Sequence, residues 1–259
     1  MRDAGLNLAV EAAGGVSQLA RRIGIAQPSV SSWSSVPAER VIAVEAATGV
    51  SRKLLRPDLY SELATDAHAV DPVDAARAQE YALLATLLSS APSPALLERI
   101  ARLRHGPTPL ERAHAALAEA ASGARASDVE REYFDLFVGV GRGEVLPYAS
   151  YYLTGFLNER PLSRLRGDLA TLGIEKIQSN SEPEDHAAML CEVMAGLAGG
   201  RLRARPDAQQ AFFDKHVASW MARMFADLER ARHATFYRPV GALGRLFLEI
   251  ETEAFTFAN

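Results

Sequence analysis

Apolar positions recur three and four residues apart along nearly the whole chain, and Val, Ile and Thr never gather into the short alternating runs that mark strands. The pattern predicts an all-α protein. Towards the end, Phe213, Val217, Trp220, Met224 and Leu228 make one apolar stripe, and Phe236, Val240, Leu243, Phe247 and Ile250 make another. Two helices joined by a turn near His233 are expected to close a common core. Thr108, Ser127 and Ser181 each stand three residues before a glutamate, namely Glu111, Glu130 and Glu184. That spacing lets hydroxyl and carboxylate satisfy each other's first-turn amides, so each is expected to open a helix. Residues 139–147, 178–183 and 198–207 read as loops between helices.

The stretch "SELATDAHAVDP", residues 61–72, has few large apolar side chains and ends in Asp71-Pro72, which disfavours helix just before the proline. A linker is expected there, between a small domain over residues 1–60 and a larger one over 73–259. Within the small domain, "GGVSQLARRIGIAQPSVSSW" has the layout of a helix-turn-helix. A helix over 16–23 would bury Leu19, Ala20 and Ile23, and Gly24 would supply a left-handed turn that a Cβ resists. A second helix over about 27–33 would bury Val30 and Trp33 and expose Gln27, Ser29, Ser31 and Ser32, a polar surface able to enter a major groove. By itself the pattern fits a generic helix pair equally well.

Composition changes the picture little: 48% hydrophobic and 23% charged residues over 259 positions describe an ordinary globular chain. One cysteine rules out an internal disulfide framework. The opening "MRDAGLNLAVEAAGG" lacks the basic start and apolar core of a signal peptide, so a cytoplasmic location is expected. No apolar run approaches about 18 residues, so no membrane insertion is expected. The net charge of −4 is unevenly spread. Residues 1–60 carry seven Lys and Arg against five Asp and Glu, hence +2, and the remainder carries −6. Different partners are expected for the two parts.

The densest chemistry lies in "SEPEDHAAMLCEVM", residues 181–194. On a helix starting at Ser181, Cys191 would lie about 140° around the axis from His186, so the two cannot converge on one ion. His186 would head an apolar face with Leu190, Val193 and Leu197, which favours a hydrogen-bonded core histidine. Cys191 reads as a small buried hydrophobe and Glu184 as part of the cap. His68, His105, His114, His216 and His233 stand alone in sequence, and no nucleophile elbow, metalloprotease helix or phosphate loop is present. No catalytic residue, metal site or cofactor is expected, and an enzyme is the weaker reading.

The longer run "AVEAAGGVSQLARRIGIAQPSVSSW" followed by "VPAERVIAVEAATGVSRKLLRPDLY" resembles the Cro-like helix-turn-helix proteins of the YdaS antitoxin type over residues 6–60. The resemblance implies operator DNA as a partner and a homodimer as the usual binding form. It places Gln27, Ser29 and Ser32 towards bases, with Ser31 on the same polar surface, and Gln18 and Arg21 towards phosphates. Ala26 departs from the expected Ser or Thr cap, and Ser34-Ser35 stand where a basic residue would help. A charge of only +2 then implies weak, salt-sensitive binding unless the domain dimerises. A fold kept as an interaction module is the alternative.

"EYFDLFVG" with "PYASYY", then "EPEDHAAMLCEVM", then "FFDKHVASWMARMFADLERARHATFYRPVGALGRLFLEIE" resemble the TorD/DmsD/NarJ family of redox-enzyme maturation chaperones, over about residues 73–255. The resemblance implies an all-helical fold and a cytoplasmic chaperone. Its client would be a molybdenum-cofactor enzyme precursor, held through the body of the protein or its twin-arginine signal peptide until the cofactor is in place. Asp185 and His186 carry the family's peptide-binding or hinge role, within the element of Glu182, Pro183, Glu184, Asp185 and His186. Pro147, Tyr148, Ser150 and Tyr151 match the second element, with Ala149 where the family often has a larger or acidic residue. An arginine-plus-apolar peptide needs an apolar groove with acids at one end. Tyr148, Tyr151, Tyr152 and Leu153 beside Glu182, Glu184 and Asp185 are expected to form it. Fusion of the two domains raises the expectation that client and DNA binding are linked. The competing reading is a transcription regulator whose helical domain senses a ligand or dimerises. A hydrolase using Asp185 and His186 ranks last. Which enzyme is served, and whether a nucleotide binds, stay open.

Overall fold

The computed structural model describes residues 2–57, 70–103, 106–174, 182–202, 204–205 and 207–257. Among these residues every regular element is helical, and strand-type pairing is confined to an isolated antiparallel bridge between Tyr148 and His186. The chain divides into two compact units, Met1–Ala69 and Val70–Asn259. Residues 58–69, which include most of the linker expected at 61–72, lie outside the described residues.

The first unit runs α1 (Ala4–Ala13), α2 (Val16–Arg22), α3 (Gln27–Ser31), a 3-10 turn (Ala38–Arg40), α4 (Val41–Thr48) and α5 (Arg52–Leu55). Asp3 opens α1, its carboxylate accepting the Leu6 N–H at 2.7 Å. The helices close on Leu6, Ala9, Leu19, Val30, Val41 and Leu55. Gly24 takes the left-handed conformation, φ 70°, between α2 and α3. α3 is shorter than the spacing predicts and stops at Ser31, before Trp33. The Ser32 hydroxyl donates back to the Ser29 carbonyl at 2.8 Å, a local bond that competes with further helix.

The second unit contains α6 (Pro72–Ser89), α7 (Pro94–Ile100), α8 (Pro109–Gly123), α9 (Ala126–Tyr133) continued by a π-helical turn (Phe134–Val138), and α10 (Ala149–Thr154). It continues with α11 (Arg160–Thr171), α12 (Ala187–Ala198), α13 (Ala208–His216), α14 (Met221–Arg230) and α15 (Tyr237–Phe257). α12 lies along α6, and α14 forms an antiparallel pair with α15, around a core that includes Tyr81, Leu84, Leu190, Met194, Trp220 and Phe225. A Cβ at Gly244 would sit 2.4 Å from the Phe225 ring, and one at Gly241 would sit 2.5 Å from the Glu229 amide nitrogen. Those two glycines let α14 and α15 approach this closely.

Thr108 forms the full reciprocal capping box with Glu111. Ser127 does not cap: the cap position falls on Arg125, Ser127 lies within α9, and the Arg125 guanidinium instead reaches Asp128 at 2.7 Å. The stripe from Phe213 to Leu228 is two helices, with a break at residues 217–220. All five stripe residues remain buried, because the break preserves their spacing while the Trp220 indole N–H takes the His216 carbonyl at 2.7 Å. In the last stripe Ile250 faces outward, while neighbouring Glu251 is buried and grips Arg77 through both carboxylate oxygens at 2.7 Å.

Candidate functional site

Two short segments, residues 147–150 and 182–187, are clamped together. The Ala187 N–H donates to the Pro147 carbonyl at 2.8 Å, and the Ala149 N–H donates to the Asp185 carbonyl at 3.0 Å. The Asp185 carboxylate, wholly buried, accepts the Ser150 N–H through Oδ2 at 2.8 Å. It thereby caps α10 from another part of the chain, where a negative charge meets the positive end of the helix. Its Oδ1 and the Ser150 hydroxyl, both buried, have no hydrogen-bond partner among the described residues.

The spacing at Ser181 places a helix start there, and Ser181 itself lies outside the described residues. Residues 182–186 are not helical: α12 begins at Ala187, with His186 as its N-cap. The imidazole Nδ1 accepts the Ala188 N–H at 3.1 Å, and the ring packs edge-on against Tyr148, centroids 5.1 Å apart. Burial depresses its pKa, against the opposing pull of Glu182 and Asp185, so the neutral ring is favoured, as the Nδ1 acceptor role requires. Glu184 is not a cap residue either. It is buried and holds the Arg166 guanidinium of α11 with two hydrogen bonds, at 2.8 and 3.0 Å. Exposed Glu182 accepts from the Tyr148 hydroxyl, and burial together with this acid raises the phenol pKa.

The tyrosines have different partners. Tyr151 receives the Arg142 guanidinium on its ring and hydroxyl, the latter at 2.6 Å. Tyr152 meets the Tyr151 ring edge-on, centroids 5.7 Å apart, lies near Trp220 and donates to Asp227 at 2.8 Å. Leu153, one turn from Ala149, faces with it into a cavity of about 520 Å³ whose lining includes Asp185 but none of the tyrosines. Tyr148 is the N-cap of α10, and Tyr151 and Tyr152 are adjacent positions within it, whose side chains leave the helix about 100° apart. The site residues therefore fall into an outer edge, Tyr148 with Glu182, and an inner floor, Asp185.

Cys191 is buried, its thiol pKa pushed up to about 12 by burial, and its Sγ lies 3.8 Å from the Met221 sulfur. It is an unreactive packing residue. No group of three or more His, Cys, Asp or Glu among the described residues could hold a metal ion. Histidines that looked solitary in sequence have carboxylate partners: His114 with Glu80 at 2.9 Å, His216 with Asp168 at 2.7 Å, and His233 with Glu144 at 2.8 Å. Sequence separations of 34, 48 and 89 residues hide these pairs from any spacing rule.

In the first unit, Gln18, Arg21, Gln27, Ser29, Ser31 and Ser32 are all exposed. Gln27 donates to the Ser31 hydroxyl at 2.7 Å, so part of the polar surface of α3 is tied up within the helix. α3 has no side-chain cap, as Ala26 foretells.

Each of the two units contains the match to a different family model. Residues 104–226 match the family model described as nitrate reductase delta subunit, and residues 6–64 match the one described as bacterial toxin YdaS. Chaperone protein TorD of Vibrio cholerae serotype O1 is 32% identical over 103 residues, which is 36% of this chain and 47% of that protein. Chaperone protein TorD of Aliivibrio fischeri is 26% identical over 136 residues, 49% of this chain and 63% of the relative. The matched region thus spans about half the length of the first of these relatives, 47%. A solved structure described as a redox enzyme maturation protein from Archaeoglobus fulgidus aligns over 67% of this chain and 93% of its own, with 19% identity and a TM-score of 0.47.

Proposed function

We propose that this protein is a cytoplasmic maturation chaperone for a molybdenum-cofactor redox enzyme, which binds the enzyme's precursor and its twin-arginine signal peptide at the outer edge of the clamp. The observation that carries this reading is the joining of both family elements into one unit, with the Tyr148–Glu182 pair at its exposed end. Glu182 is an exposed acid beside Tyr148, whereas Glu184 holds Arg166 and Asp185 is buried beneath. Asp185 and His186 act as the hinge that fixes α10 against α12, with Pro147, Ser150 and Pro183 shaping the turn and Tyr151 flanking it.

Titration of a labelled twin-arginine signal peptide tests the reading. The peptide is expected to bind, and to bind about tenfold more weakly to Glu182→Gln and to a twin-lysine version of the peptide. Equal affinity in all three pairings would contradict it.

The second reading gives the first unit an operator. It is supported by the exposed polar face of α3 with Arg21 beside it, and it assigns Gln18 and Arg21 to phosphates and Gln27, Ser29, Ser31 and Ser32 to the groove. Binding of a short duplex should be weak and should fall by roughly one power of salt concentration per phosphate contact, with a lower slope in Arg21→Ala. An unchanged slope would remove Arg21 from the interface, and absence of binding at low salt would leave the unit as an interaction module.

A further inference from the structure

The cavity on the other side of α10 is separate from the Tyr148–Glu182 edge. Its walls come from α10, α11 and α13, and its floor from Asp185 and Leu190. Leu153, Pro161 and Leu165 supply apolar wall, while Arg164 and Lys215 supply positive charge. Leu153 is 42% exposed, and the connection between α10 and α11 leaves Phe156 70% exposed, more apolar surface than a folded chain usually shows water in so short a stretch.

The charges facing this cavity are unevenly satisfied. Asp168 is engaged by His216 Nε2 at 2.7 Å and by Lys215 Nζ at 3.4 Å. The second of these is long, and an ammonium has three donors, so Lys215 keeps capacity for another acceptor. Arg164 makes no hydrogen bond or ion pair with any described residue. On the floor, fully buried Asp185 has an acceptor, Oδ1, without a donor among the described residues. Arg164 offers a guanidinium to a carboxylate on the wall, Lys215 has donors beyond its pairing with Asp168, and the buried Asp185 Oδ1 offers an acceptor to an N–H at the base. A polypeptide offers both groups, the first on a Glu or Asp side chain and the second on its backbone.

We propose that this cavity seats an acidic, apolar segment of the client polypeptide. Its carboxylate lies on Arg164 and Lys215, its apolar side chains lie on Leu153, Pro161 and Leu165, and a backbone N–H points to Asp185 Oδ1. The inference rests on the chaperone reading in that the partner is a polypeptide. It adds a second segment of opposite charge to the signal peptide, because a twin-arginine sequence placed here would meet Arg164 and Lys215 with like charge.

The test uses the full chain and three labelled synthetic peptides that share a Leu/Phe core flanked by Glu, Gln or Lys, titrated by fluorescence anisotropy. The Glu peptide is expected to bind about tenfold tighter than the Lys peptide, and Arg164→Glu to reverse that order. Arg164 is exposed, so a folded variant is expected, and its circular dichroism should match wild type. Tighter binding of the Lys peptide, no binding of any peptide, or an order unaffected by Arg164→Glu would overturn the proposal. Failure of the chaperone reading is scored separately, by the response of the twin-arginine peptide to Glu182→Gln.

Discussion

Three carboxylates in this protein cap backbone groups far from them in sequence. Asp185 takes the Ser150 N–H, Glu132 takes those of Thr235, Phe236 and Tyr237, and Glu144 takes those of Arg232 and His233. Removing such an acceptor strands a buried donor, which costs about 1–3 kcal/mol. Asp185→Ala should therefore lower the unfolding free energy measured in urea by that order, whereas Asp185→Asn, which keeps an acceptor, should retain most of the stability. Equal loss in both variants would mean that charge rather than capping matters at this position. His186 gives a second prediction. Its folded pKa lies below its ordinary 6.5, so between the two values the unfolded chain binds more protons than the folded one. The stabilisation is complete above about pH 6.5 and is lost as pH falls through the folded value. His186→Asn keeps an N-cap but does not titrate there, so its melting temperature should fall less steeply than wild type on acidification from neutral pH. Parallel curves would refute this.

At the scale of elements, the packing of α14 on α15 depends on Gly241 and Gly244, each of which faces atoms closer than a Cβ tolerates. Gly244→Ala must push the buried Phe225 ring and should destabilise by about 1–3 kcal/mol in denaturant unfolding, and a neutral result would mean that the ring has room to turn. Helical periodicity made these elements legible in the sequence, and the cap at Thr108 was legible too, because each signal is local. The break at 217–220 was not, since the five buried residues keep helical spacing across it. Nor was the start of α12, where the "SEPE" spacing mimics a capping box while His186 does the capping. The residues of the candidate site were readable as motifs, but their division between an outer edge and an inner floor was not. It depends on Asp185 reaching Ser150, 35 residues away.

At the scale of the whole molecule, a unit without net charge, Met1–Ala69, is joined to one that carries −4, and each of the two proposed functions belongs to one unit. If client and operator binding are linked, peptide must change DNA affinity by the same factor that DNA changes peptide affinity. Identical peptide titrations with and without duplex DNA would show independent units. The central claim is that the larger unit holds the precursor of a redox enzyme, and capture from a native cell lysate tests it most directly. Wild-type protein and Glu182→Gln would each be used as bait, and captured proteins identified by mass spectrometry. The account predicts that wild type recovers a molybdoenzyme precursor with its twin-arginine segment intact, and that the folded variant recovers markedly less. Recovery of DNA without any such precursor, or equal recovery by both baits, would contradict it.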